Sequence, residues 1–207
     1  MATHVVVVGS GFGGIASALR ARKLGFEVTL IERLDQLGGR ARTFERDGHK
    51  FDAGPTVITA PFLFEELFEL FDRQLPEYAE MLPVSPWYRY EFNDGSRLDY
   101  GGSVEDTLKE IERLSPDDVD GYRKLLSHSK KIFDVGFSEL AHVPFNRLWF
   151  MIKQVPALIR LGCYRTVWQF TKRYLKDDRL RRAFSIQPLL VGGNPFNTTS
   201  IYSLIHY

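Results

Sequence analysis

Apolar positions along the chain follow two periods. His4 to Val8 is a short β-branched run and Glu27 to Ile31 a second; runs of this length bounded by glycine predict strands. Between them Ile15, Ala18, Leu19 and Arg22 recur at helical spacing, which predicts a helix over Ile15–Leu24 with Gly25 as its stop. A strand, a helix and a strand in this order predict parallel pairing through a right-handed crossover. After Pro61, residues Phe64, Leu67, Phe68 and Phe71 fall at i, i+3, i+4 and i+7, an amphipathic helix. Tyr88 to Tyr100 reads as a hairpin turning at Asn93-Asp94-Gly95-Ser96. Ser115-Pro116-Asp117-Asp118 predicts a helix start, with a Ser cap, proline at the first position and an acid three residues after the cap. From there the chain reads as helical, with breaks near Pro144, near Pro156 and at Gly192-Gly193-Asn194-Pro195.

This order describes an α/β fold: a Rossmann-type unit over 1–80, then a hairpin and a mostly helical region over 81–207. Only two strands of the parallel sheet are legible, too few to cover its edges and faces. The expectation is an incomplete fold, an inactive piece of a longer chain, with apolar surface left bare.

Composition adds a boundary condition and a charge pattern. Hydrophobic residues at 44% and charged residues at 26% exclude a disordered chain. The net charge of +1 conceals two opposed stretches. Glu65 to Asp120 holds sixteen acidic residues against five basic, a net of −11; Arg147 to Arg182 holds ten basic against two acidic, a net of +8. Within the basic stretch Trp149, Phe150, Ile152, Val155 and Ile159 alternate with cations, as in a helix lying at a lipid surface. A helical layer on the core with a solvated basic face is the competing reading. Nucleic acid is ranked last. No stretch reaches the roughly 18 apolar residues of a membrane span, so contact with a membrane is expected to be peripheral. Cys163 is the only cysteine, which permits no internal disulfide and fits a reducing compartment. With no leader of the secretory type, a cytoplasmic, peripherally membrane-associated protein is expected. The five histidines lack metal-ligand spacing, and no metal is expected.

The chemistry is concentrated at the first turn. Gly9-x-Gly11-x-x-Gly14 follows a predicted strand and opens a predicted helix, and Glu32 ends the next strand. In such a unit Gly9 allows the tight turn, Gly11 lets a diphosphate approach the backbone and Gly14 lets the helix lie close on the strand. The helix N-terminus offers amides to phosphate, and Glu32 can accept from ribose hydroxyls while repelling a 2′-phosphate. Gly38-Gly39-Arg40 suits a second backbone approach to the diphosphate, with a guanidinium to complement it. Ser10 lacks the Gly-x-Ser-x-Gly spacing of a hydrolase nucleophile.

The run from Val5 to Arg42, with Gly9, Gly11, Phe12, Gly13, Gly14, Glu32-Arg33 and Gly38-Gly39-Arg40, resembles the FAD-binding start of the amine oxidase and carotenoid desaturase superfamily. Phe51-Asp52-Ala53-Gly54-Pro55-Thr56-Val57-Ile58-Thr59 is similar to the bacterial phytoene desaturases in particular. So are Asp118-Val119-Asp120-Gly121-Tyr122-Arg123, Leu189 to Phe196 and Thr199 to His206. The resemblance implies FAD as cofactor and phytoene, a long apolar polyene, as substrate. It also implies that Gly54, Pro55 and Thr56 lie near the flavin. No catalytic side chain is assigned, and oligomeric state is left open. Alternatives within the superfamily are another carotenoid desaturase, a carotenoid isomerase or an amine oxidase. Outside enzymes, the alternative is a lipid-handling protein like the Rab GDP-dissociation inhibitors.

Overall fold

The computed structural model describes residues 3–54, 57–140, 143–144 and 146–207. They divide into two compact units, Met1–Leu82 and Pro83–Tyr207.

In the first unit, β1 (His4–Val8) and β2 (Glu27–Ile31) pair in parallel from His4 opposite Glu27 to Val8 opposite Ile31. The connecting helix α1 spans Phe12–Lys23. It begins three residues earlier than the apolar pattern indicates, because Gly13 and Gly14 are its first turn rather than its approach. Gly25 ends it as expected, at φ +90° with its N–H on Arg22 O (3.0 Å).

A hairpin unforeseen in the sequence follows, β3 (Thr43–Arg46) and β4 (His49–Asp52), antiparallel, with Phe44 opposite Phe51. Its two-residue turn is Asp47-Gly48, both at positive φ (53° and 78°), the backbone of a type I′ hairpin. Helix α2 (Phe62–Glu69) is where the apolar period puts it. It joins α1 through Phe64 edge-on to Phe12, centroids 5.3 Å apart, and through Arg20 to Glu66 at 2.7 Å. Helix α1 covers only the Val5 and Val7 face of the strands. Val6 and Val8 on the other face are 52% and 81% exposed, and among the described residues of this unit only Ser10 and Leu75 are buried. A parallel sheet is ordinarily covered on both faces.

The second unit holds the larger core. Strands β5 (Tyr88–Glu91) and β6 (Arg97–Tyr100) form the expected hairpin, closed by Phe92 N–H to Ser96 O (2.9 Å) with Gly95 at φ +79°. Leu98 and Tyr100 turn inward against α3 (Val104–Leu114) and α4 (Val119–Phe133), where Ile111, Tyr122 and Leu125 are buried. The cap expected at Ser115 is replaced by a tether. Ser115 Oγ donates to Asp118 Oδ2 (3.0 Å), and the buried Asp118 accepts from the backbone N–H of Lys176 (2.6 Å) and Asp177 (2.8 Å). The first turn is accordingly a short 3-10 segment, Pro116–Asp118, before α4 begins.

A π-helical turn, Asp134–Glu139, ends α4, and the described residues beside the expected break, 143–144 and 146–147, are not helical. The break expected at Pro156 does not occur. Helix α5 runs Leu148–Arg160 through that proline and ends at Leu161, before Gly162 at φ +70°. Proline removes one helical donor, and the bonds of the following residues, such as Leu161 N–H to Ala157 O (2.9 Å), carry the helix on. Helices α6 (Val167–Tyr174), with a Thr166–Gln169 capping box, and α7 (Asp178–Ala183) bring Phe170, Leu180 and Phe184 to the core.

Candidate dinucleotide site

The turn between β1 and α1 is built almost wholly from backbone. Gly9 sits at φ +95°, in the left-handed region that favours glycine, and its N–H donates to Ile31 O (2.7 Å). A Cβ on Gly14 would lie 1.9 Å from Gly9 O and 3.7 Å from Val7 Cγ1, so the helix lies on the strand as closely as glycine permits. Around Gly11 and Gly13 nothing lies within 4 Å of where a Cβ would stand. The close packing faces inward and the open space faces a ligand's approach.

The second glycine pair closes on the first. Gly38 N–H donates to Ser10 O (2.9 Å), Gly11 and Gly38 form a parallel bridge, and a Cβ on Gly39 would be 3.0 Å from Gly11 Cα. Two motifs distant in sequence thereby become one backbone cradle. Gly11 caps α1 with no side chain, and no acid stands in the helix's first turn. The first amides and the positive end of the helix dipole are left for an anion. This arrangement fits a dinucleotide diphosphate.

Glu32, just past β2, faces the same turn. Its Oε2 accepts from the Ser10 hydroxyl (2.6 Å) and the Ser10 N–H (2.8 Å), and its Oε1 from Leu34 N–H (2.9 Å). These bonds, the Ser10 hydroxyl foremost, lower its pKa to about 2, so the carboxylate is ionised throughout the physiological range. Ser10 is fully buried, and the sequence reading missed it. The only signal was a hydroxyl between two glycines at the strand end, within reach of the acid that ends the neighbouring strand.

The remaining residues of the sequence-derived set divide. Phe12, 54% exposed, places its ring on Phe64, so what it can offer a phosphate is its backbone N–H at the helix start. Arg33 and Arg40 are exposed, Arg40 on the short turn Gly39–Ala41. A Cβ on Gly54 would stand 2.1 Å from Arg40 O, so within this chain Gly54 is required by a crossing of two backbone segments. Pro55 and Thr56 lie outside the described residues.

Elsewhere the basic stretch separates into two kinds of helix. Helix α6 sends Val167 and Phe170 into the core. Helix α5 buries no residue and leaves Leu148 (73%), Trp149 (67%) and Ile159 (58%) exposed. Among the described residues no helix is long and apolar enough to cross a membrane, and no group of three His, Cys, Asp or Glu could hold a metal ion. A groove of about 590 Å³ between the β5–β6 hairpin and α7 is lined by Arg89, Arg179 and Arg182, all engaged by aspartates.

Comparison with known proteins agrees with this geometry. Residues 7–74 match the family of NAD(P)-binding Rossmann-like domains. Over 97% of its length the chain is 46% identical to a lycopene-forming phytoene desaturase of Pantoea ananas, of which it covers 41%. It is 39% identical over 99% of its length to a neurosporene-forming phytoene desaturase of Cereibacter sphaeroides, covering 39% of that protein. The chain therefore spans about two fifths of the length of these relatives. Among solved structures, putrescine oxidase bound to putrescine matches 99% of this chain with a TM-score of 0.56 at 19% identity, and the match covers 41% of that protein. A fatty acid isomerase from P. acnes matches 99% of this chain and 42% of its own, with a TM-score of 0.51 at 15% identity. At such identities the likeness is one of fold.

Proposed function

We propose that this chain, a homologue of bacterial phytoene desaturases along nearly all of its length, holds the adenosine diphosphate end of FAD. It does so within an oxidoreductase that desaturates phytoene towards neurosporene or lycopene. One observation carries the cofactor reading: two glycine motifs meet backbone to backbone at an uncapped helix start, beside an ionised Glu32. Gly11, Phe12 and Gly13 offer N–H groups to the diphosphate, while Arg33 and Arg40 supply exposed positive charge nearby. Glu32 accepts from a ribose hydroxyl, and its full ionisation disfavours a 2′-phosphate, hence NADP. When bound, FAD supplies the hydride acceptor; the chain binds and orients it. Gly54, Pro55 and Thr56 belong to this reading on resemblance to the phytoene desaturases.

Helix α5 supports a second element of the proposal, attachment to an anionic membrane surface from which an apolar polyene is drawn. Its apolar residues Leu148, Trp149, Ile152, Val155 and Ile159 are exposed among Arg147, Lys153 and Arg160.

The decisive experiment has two arms. Purified with added FAD, the wild-type complete enzyme retains yellow flavin and its Glu32→Lys variant does not, because an acceptor of the ribose becomes a donor. Stoichiometric flavin in the variant overturns the assignment of Glu32. Expressed in a host that accumulates phytoene, the complete enzyme yields a coloured product identifiable by absorbance and mass. Unaltered phytoene refutes the substrate assignment.

A further inference from the structure

Ser10 lies between the first two glycines of the motif, and the assignment of roles to those glycines leaves it with none. Its side chain is fully buried, yet it does not fill a core: its neighbours in the turn are glycines. Instead it binds Glu32 twice, through its N–H (2.8 Å) and its hydroxyl (2.6 Å), both on Oε2. An ionised carboxylate has about four lone-pair sites. Ser10 fills two of them and Leu34 N–H a third, at Oε1 (2.9 Å), while the Arg33 N–H approaches the carboxylate more weakly, so at most one acceptor site is left on Oε1. The Ser10 bonds are partly buried and the Leu34 bond is exposed, so the unfilled site is on the solvent side of the carboxylate.

We propose that Ser10 is a positioning residue for the ribose of an adenine dinucleotide: it anchors Glu32 by Oε2 and so presents the last acceptor site of Oε1 to the ribose 2′-hydroxyl. The inference rests on the cofactor reading above and adds to it a requirement for one side chain that the glycine motif does not specify. Without the hydroxyl, the N–H of residue 10 still reaches Oε2, but the carboxylate gains a rotational freedom that binding has to remove. The loss therefore falls on ligands that carry the hydroxyl and spares those that lack it.

The test measures ADP and 2′-deoxy-ADP affinity by titration calorimetry on the complete enzyme, for wild type, Ser10→Ala, Glu32→Gln and the double variant. Thermal unfolding of each variant shows that it is folded. The expected result is a loss of roughly tenfold in ADP affinity for Ser10→Ala, the size of one charge-assisted hydrogen bond. The same substitution leaves 2′-deoxy-ADP affinity within about twofold, and it changes nothing further when added to Glu32→Gln. Equal losses for the two nucleotides, or a full additional loss in the Glu32→Gln background, overturn the proposal, because Ser10 would then act on the turn as a whole. Unchanged ADP affinity in a folded Ser10→Ala variant overturns it too, while leaving the cofactor reading intact. A wild-type complete enzyme that binds neither nucleotide removes the cofactor reading and this inference with it.

Discussion

Adjacent glycines in the first turn of α1 make opposite demands, and alanine at each separates folding from ligand binding. At Gly14 an added methyl would stand 1.9 Å from Gly9 O and 3.0 Å from Gly9 C. Both obstacles are backbone, and Gly9 is already held at φ +95°. Reaching ordinary contact requires α1 to move off β1 by roughly 1.5 Å, since non-bonded carbons settle near 3.5–4.0 Å. Overpacking of this kind costs about 1–3 kcal/mol. At Gly13 nothing stands within 4 Å of the added methyl. Alanine there raises helix propensity, a gain of roughly 0.5–1 kcal/mol. Because alanine gains helix propensity at either position, the two variants should differ in stability by the overpacking cost of about 1–3 kcal/mol, Gly13→Ala the more stable, or by some 2–4 °C in melting temperature per kcal/mol. Both should lose FAD affinity, Gly14→Ala because the helix start is displaced and Gly13→Ala because its methyl occupies the ligand's approach. Urea unfolding and flavin titration on the same preparations decide the matter. Equal stabilities would show that the close packing at Gly14 is absent in solution. A Gly13→Ala chain that binds FAD as wild type does would show that the open space beside it is not the diphosphate path.

Three further outcomes are expected. Asp118→Ala leaves the N–H groups of Lys176 and Asp177 without their buried acceptor and should cost about 2–4 kcal/mol in urea unfolding; a loss below about 0.5 kcal/mol refutes the tether. Burial lowers the pKa of His206 to about 4, so the unfolded chain takes up a proton below its ordinary value near 6.5 and the folded chain does not. Stability conferred by the neutral ring is complete above that value and should decline from about pH 6.5 to 4, a fall reduced in His206→Gln, where His128, also lowered by burial, still contributes; Glu32, with its pKa lowered to about 2, acts only below the ordinary carboxylate value of about 4.5. Binding of the full chain to vesicles should increase with anionic lipid and weaken in a Trp149→Ser/Ile152→Ser variant; equal sedimentation of the two refutes the role of α5.

What the sequence disclosed was what depends on local chemistry. The strands β1 and β2 were legible to the residue because β-branched runs abut obligatory glycines, and Gly25 could be read as a stop because few other residues adopt its φ of +90°. The start of α1 was misplaced because an apolar period has no value to assign to Gly13 and Gly14, which enter the helix without side chains. The hairpin over 43–52 carried a turn signal in Asp47-Gly48, but its strands lack the apolar alternation that marks a buried face, since Phe44 and Phe51 are exposed and stack on each other. Pro156 marks a break in the sequence because proline's local cost is visible there, while the flanking turns that hold α5 together are not.

At the candidate site the same division separates the legible from the hidden. Each glycine's task follows from its own backbone, so spacing could reveal it. The Ser10–Glu32 pair could not be found that way, because it exists only once β1 and β2 lie side by side and bring residues twenty-two positions apart to 2.6 Å. Asp118 is the counterpart in the second unit: its spacing to Ser115 suggested a cap, while its carboxylate is committed to a segment fifty-eight residues away. In both places a short polar side chain next to a turn was misread or passed over for one reason. A hydroxyl or carboxylate that can serve a local cap can equally serve a distant backbone, and pairing across the fold decides between them. A sequence reading that identifies such residues should therefore pair each with the acids and free amides that the predicted topology brings to the same strand end before assigning it a local role.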